Sequence, residues 1–136
     1  MTIKEIPAES LSVSDPTTSL QTFLESLGRP LYIFFTASAD PATSAPWCPD
    51  VRAAIPVVTS TFQEAAQELS VVTVEVGDKP SWKDANNVFK KEWGLTAIPT
   101  LGRYEVVDVD GQSIVAVRML VENECLDVSK LLSLIS

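Results

Sequence analysis

Apolar residues recur along the chain with two different periods, and the switch between them predicts the order of elements. Leu20, Phe23, Leu24 and Leu27 fall at helical spacing across residues 19–27. Gly28-Arg29-Pro30 then breaks the pattern, as Gly and Pro do behind a helix. Leu31-Tyr32-Ile33-Phe34-Phe35-Thr36 is apolar on both alternate sets, the pattern of a strand buried on both faces. Residues 37–45 are small, polar and proline-containing and predict a loop. Pro49 is tolerated in a first helical turn. Val51, Ala54, Ile55, Val58, Phe62, Ala65 and Leu69 then mark one face of a helix reaching about residue 69. Pro56 lies inside it and should bend it, because proline removes a backbone donor and clashes with the preceding turn.

The pattern repeats downstream. Residues 71–76 predict a second buried strand, Gly77-Asp78-Lys79-Pro80 opens a loop, and residues 84–93 predict a short helix ended by Gly94. Residues 96–101 lead into a third strand through about Val109. Asp110-Gly111 is a two-residue hairpin signal, and residues 114–121 return antiparallel. Asp127 suits an N-cap for a last helix over residues 128–135, with Leu131, Leu132 and Ile135 facing inward. Alternating helices and strands followed by a hairpin imply an α/β fold, a mixed sheet with one antiparallel edge and helices on both faces. Without repeats or low-complexity tracts, residues 1–136 are expected to form one domain.

Charge and composition narrow the function. The chain is 46% hydrophobic and 21% charged, a globular composition, and its net charge of −8 leaves no basic patch for nucleic acid or an anionic membrane surface. No apolar run is long enough to span a bilayer. Residues 1–10 carry Lys4, Glu5 and Glu9 and do not resemble a secretory signal. Two cysteines, Cys48 and Cys125, cannot form a multi-bridge framework, so a cytoplasmic protein is expected. Histidine is absent, which removes Ser–His and Cys–His nucleophile pairs and most zinc sites. The remaining chemistry runs on thiol, carboxylate or backbone.

Cys48 is the residue that stands out. It falls where a loop behind a buried strand meets a helix N-terminus, and the free N–H groups and helix dipole there favour a thiolate, the attacking species in disulfide exchange. Trp47-Cys48-Pro49, followed by a helix with an internal proline, resembles the active-site helix of thioredoxins. With Asp50 the run is similar to the Trp-Cys-Pro-Asp-Cys signature of the thioredoxin domain-containing protein 17 family, small cytosolic thioredoxin-related proteins. Three further runs resemble that family in order and spacing: residues 76–87, Thr96-Ala97-Ile98-Pro99-Thr100-Leu101 and Leu120-Val121-Glu122-Asn123-Glu124-Cys125-Leu126.

The resemblance implies a thioredoxin-like three-layer fold with a central sheet of four to five strands, an extra N-terminal strand falling at residues 3–8. It implies a cis Ile98–Pro99 bond with Pro99 packed beside Cys48, and a substrate groove shaped by Trp47, Pro49, Asp50, Ile98 and Pro99. It also implies reduction of disulfides in proteins and small molecules, with re-reduction by thioredoxin reductase and no metal or organic cofactor. The chain departs from the family at one position: the second cysteine, three residues after Cys48, is replaced by Val51. In a dithiol enzyme that second thiol releases the mixed disulfide, a step valine cannot perform.

Three readings follow. Cys48 acts as a monothiol, released from its mixed disulfide by an outside thiol such as glutathione. Alternatively Cys125 is a distal resolving thiol, against the plainer reading of a buried inert cysteine; the bridge would need Cα atoms within about 7 Å. In the third, the groove survives as a redox-inactive binding or scaffold module. Asp50 either opposes thiolate formation or simply favours the helix start. Trp82 and Trp93 are expected to pack, and Lys90-Lys91 to form a solvated face. The bulky Pro49-Asp50 does not resemble the monothiol iron–sulfur site of one class of glutaredoxins.

Overall fold

The strand β2 (Leu31–Thr36) is buried at every position and forms the centre of a five-stranded mixed sheet. The computed structural model describes residues 3–5 and 16–136. Strand order is β1 (Ile3–Glu5), β3 (Leu69–Glu75), β2, β4 (Thr100–Val109) and β5 (Gln112–Val121). β1 and β2 run parallel to β3, whereas β4 is antiparallel to both β2 and β5. Of the N-terminal strand expected over residues 3–8, residues 3–5 pair with β3, and the rest lies outside the described residues.

Helices cover both faces, as alternation along β2 requires. Leu31, Ile33 and Phe35 face one apolar layer with Leu20 and Leu24 of α1 (Pro16–Leu27). Trp82 of α3 (Lys79–Lys83) and Phe89 of α4 (Val88–Lys91) join the same layer. Tyr32 and Phe34 face the other, with Ala54, Val58 and Phe62 of α2 (Pro49–Glu64) and Leu131, Leu134 and Ile135 of α5 (Val128–Ile135). Asp110 (φ 53°) and Gly111 (φ 81°) make the two-residue turn between β4 and β5, both in the left-handed region that such a turn demands.

The structure corrects several boundaries. α2 ends at Glu64, because Ala65 is extended (φ −64°, ψ 145°), and Leu69 opens β3 opposite Ile3 instead of continuing the helix. Ala65-Ala66-Gln67-Glu68 has good helix propensity, but pairing Leu69 and Ser70 with neighbouring strands overrides it. The helix expected over 84–93 is replaced by the short α4, with the separate α3 before it. Asp84 Oδ1 accepts from Asn86 N at 2.8 Å, and Asn87 Oδ1 accepts from Phe89 N at 2.9 Å, so side chains take over backbone donors and restart the helix. In α5 the inward residues are Leu131, Leu134 and Ile135, while Leu132 is 51% exposed. A helix so short presents only a narrow apolar stripe, and Leu132 falls off it.

Arg103 of β4 ties α5 to the sheet: its Nη1 donates to the Leu134 and Ser136 carbonyls at 2.8 and 2.9 Å, and its Nε meets Glu105 at 2.6 Å. On the other face of β4, the Tyr104 ring lies back over Gly102, where an added Cβ would stand 2.5 Å from the ring. Gly102→Ala is therefore expected to lower stability by about 1–3 kcal/mol, measured by urea unfolding. In a Tyr104→Leu background the same alanine should cost much less; equal penalties would show that the ring is not the obstacle.

Candidate active site

Cys48 is the N-cap of α2, with extended backbone (φ −90°, ψ 121°) and Pro49 at the first helical position. Its carbonyl accepts the first helical bond, from Arg52 N at 3.1 Å. Its side chain makes no capping hydrogen bond and is 9% exposed, at the rim of the layer that holds Phe35 and Ile98. The sulfur therefore sits beside the free N–H groups of the first turn, where the helix dipole favours negative charge. Asp50 is exposed in that same turn, and Val51 points inward, fully buried.

The loop that brings Cys48 there is held from several sides. Trp47 N donates to Ser38 O at 3.2 Å, and Ala39 and Pro46 form an isolated bridge. Trp47 Nε1 donates to Gly77 O at 2.9 Å, and Ser38 N donates to the same carbonyl. The loops behind β2 and β3 thus share one acceptor. Arg52 Nη1 reaches back to Pro46 O at 2.6 Å and pins the residue two before the thiol.

The second wall comes from the start of β4. Because Phe35 pairs with Thr100, the end of β2 and the Ile98–Pro99 segment lie side by side at one end of the sheet. The Ile98–Pro99 peptide bond is cis and both residues are buried. Ile98 belongs to the Cys48 layer, while the Pro99 carbonyl accepts from Glu122 N at 2.8 Å. Trp47, Cys48, Pro49, Asp50 and Val51 thus come from one segment, and Ile98 and Pro99 from its neighbour across the sheet.

Cys125 lies elsewhere. It sits in a short 3-10 turn (Glu122–Leu126), fully buried in the layer opposite Cys48, with Sγ 3.4 Å from Leu120 O and 3.8 Å from Pro99 O. Burial pushes its thiol up to about 12. Both cysteines are free, and Cys125 is a buried, protonated thiol behind Pro99. Three residues that shape this site were not singled out as site residues from the sequence: Gly77 and Glu122, which fall within runs that resemble the family, and Arg52. Gly77 was legible as a loop former within one of those runs, and nothing in the sequence marked Arg52. Glu122 takes a left-handed backbone (φ 53°), a conformation its residue type does not advertise. Among the described residues no group of three or more His, Cys, Asp or Glu side chains could hold a metal ion. None of their helices is long and apolar enough to cross a membrane.

A cysteine capping the helix behind the first buried strand, at the sheet end where a cis-proline precedes the antiparallel strand, defines a protein of the thioredoxin fold. Comparison with known proteins narrows this further: residues 10–127 match the thioredoxin domain of the thioredoxin domain-containing protein 17-like family, and the chain belongs to that family. It is 40% identical over 114 residues to a thioredoxin domain-containing protein of Schizosaccharomyces pombe, covering 82% of this chain and 89% of the relative. It is 37% identical over 99 residues to human thioredoxin domain-containing protein 17, covering 73% and 72% of the two chains. It is 30% identical over 114 residues to the thioredoxin-like protein Clot of Arabidopsis thaliana, covering 82% and 85%.

Two outcomes follow for the thiols. Cys48→Ser supplies a side-chain oxygen that can accept from the Asp50 or Val51 N–H, and should stabilise the fold by about 0.5–1 kcal/mol in urea unfolding. An unfolded cysteine ionises near ~8.5, whereas folded Cys125 holds its proton up to about 12. Between those values the unfolded chain binds fewer protons, so the Cys125 contribution, fully present below ~8.5, is lost as pH rises, by up to ~1.4 kcal/mol per pH unit. Unfolding free energies measured across that range should fall less steeply for Cys125→Ala than for the native chain.

Proposed function

We propose that the protein is a thioredoxin-related thiol–disulfide oxidoreductase that works through Cys48 alone. The observation that carries this reading is the placement of Cys48: a helix N-cap whose sulfur makes no capping hydrogen bond, at the rim of the sheet end shared with Pro99. In the first step the Cys48 thiolate attacks a substrate disulfide. A Cys48–substrate disulfide forms, and the substrate's other sulfur leaves as thiolate. With Val51 in place of a second thiol, release requires an external thiolate. That thiolate attacks the substrate sulfur of the mixed disulfide, regenerates the Cys48 thiolate and carries the substrate away in a new disulfide. Trp47, Pro49, Ile98 and Pro99 shape the groove, and Asp50 sets the charge at its edge. The substrates are disulfide-containing proteins or small disulfides, and glutathione or thioredoxin reductase supplies the reducing equivalents. Two free cysteines fit a reducing compartment, the cytoplasm.

One observation favours a second reading, a redox-inactive binding module: Val51 is wholly buried and packs as an ordinary core residue. The two readings separate on a single pair of variants. Incubated with glutathione disulfide, the native chain should gain one glutathione, at Cys48, by intact-mass and peptide mass spectrometry, and lose it in excess reduced glutathione. Cys48→Ser should gain none. Val51→Cys should instead form an internal disulfide between Cys48 and the introduced thiol, and reduce insulin disulfides catalytically with dithiothreitol, above the native baseline. A folded native chain whose Cys48 takes up no glutathione would sink the monothiol reading and leave the binding module.

A further inference from the structure

Away from the thiol, α1 covers β4 but leaves the outer part of β5 open. A cleft of about 470 Å³ remains between them, walled by Leu20 and Gln21 of α1, Trp93, Tyr104 of β4, and Val117 and Met119 of β5. Its size falls within the range of small-molecule sites, and its walls are mostly apolar, as theirs are. None of Trp47, Cys48, Pro49, Asp50, Ile98 or Pro99 lines it.

The floor of this cleft contains a polar atom that the fold leaves unanswered. Tyr104 is 3% exposed, and its hydroxyl is buried with no hydrogen-bond partner among the described residues. A buried donor with no acceptor is destabilising, and native folds keep few of them. The ring is fixed edge-on to Trp93 at 5.9 Å between centroids, and it lies over Gly102, with the hydroxyl 3.1 Å from the place of the missing Cβ. Gly102, under the ring, pairs with Met119, whose long, flexible side chain lines the cleft. Burial holds the phenol above its ordinary range, so it keeps its proton at physiological pH. Glu92 is the one charged residue among the described residues that line the cleft, and it opposes an anion.

We propose that this cleft is a binding site for a small uncharged molecule, aromatic or alicyclic, whose single hydrogen-bond acceptor receives the Tyr104 O–H once the Met119 side chain moves aside. The apolar walls select the body of the ligand and the orphan hydroxyl selects its acceptor. Binding here is separate from the chemistry of Cys48 and does not depend on it.

The test uses Nile red, an uncharged fused-ring dye with a carbonyl acceptor whose emission rises in apolar surroundings, titrated into the full chain. Saturable binding of one dye per chain is expected, and Cys48→Ser should bind it equally well. Tyr104→Phe keeps the ring and removes only the hydroxyl; it should weaken the dye about five-fold while raising the thermal midpoint of the free protein. Val117→Lys, at an exposed position on the lip, should weaken the dye with the thermal midpoint unchanged. Absence of saturable binding overturns the proposal, as does equal affinity in either cleft variant. A lower thermal midpoint for Tyr104→Phe would also overturn it, by showing that the hydroxyl already has a partner in the fold.

Discussion

Because every residue of Leu31–Thr36 is buried, β2 has no face to give to solvent, and the rest of the molecule is arranged around satisfying it. Its backbone groups are taken by β3 on one side and β4 on the other. Its side chains need a helical layer above and another below, which α1, α3 and α4, and then α2 and α5, provide. The candidate site is a consequence of where this strand ends. Beyond Thr36 the chain can no longer stay in the sheet, and the turn it makes is anchored to β3's exit through Val76 N on Thr36 O and through Gly77 O. The Trp47 indole completes that anchorage and delivers Cys48 to the helix start. A buried, fully paired strand is a rigid base, and a thiol at its exit inherits that rigidity.

Element order was legible because two-sided burial and one-sided burial leave different periods in the sequence. The continuous apolar run of β2 and the 51, 54, 58, 62 spacing of α2 are unambiguous in that sense. What escaped was decided by partners that are distant in sequence or by polar side chains. Leu69 is apolar in either a helix or a strand, and only β1 and β2 determine which. Asp84 and Asn87 break a helix by capping their own neighbours, a local competition that apolar spacing does not register. In the site, Cys48 and Pro99 stood out through the motif that contains them. Glu122 also lies in a family-like run but did not stand out, because neither its left-handed backbone nor the bond from its N–H to the Pro99 carbonyl can be read from its residue type. That is a tertiary constraint placed on a residue with no preference for it.

The two cysteines show how position decides the character of one functional group. Cys125 is enclosed on all sides, its sulfur rests against backbone carbonyls, and loss of its proton would place a charge in an apolar layer beside acceptors. It behaves as a small hydrophobe that shapes the support behind Pro99. Cys48 lies at the rim, beside unsatisfied N–H groups and without a capping bond to its sulfur. The two belong to different layers of the sheet, Cys48 with Ile98 and Cys125 with Leu101 and Leu131.

The same reasoning bears on the exchange of a thiol for Val51. Position 51 turns into the core within the first turn after the cap, so side-chain volume and apolarity matter there, and valine meets both demands. Stability alone would accept that residue whether or not a second sulfur had a use. Position 48 is different in kind. An N-cap is improved by Ser, Thr, Asp or Asn, whose oxygens take up first-turn N–H groups, and cysteine at this cap takes up none. Fold stability therefore accounts for Val51, for Trp47 through its indole bond to Gly77 O, and for Pro49 at the first helical position, but not for Cys48. What remains at the site is a thiol that the fold can dispense with, which is the condition expected when a side chain is held for its chemistry.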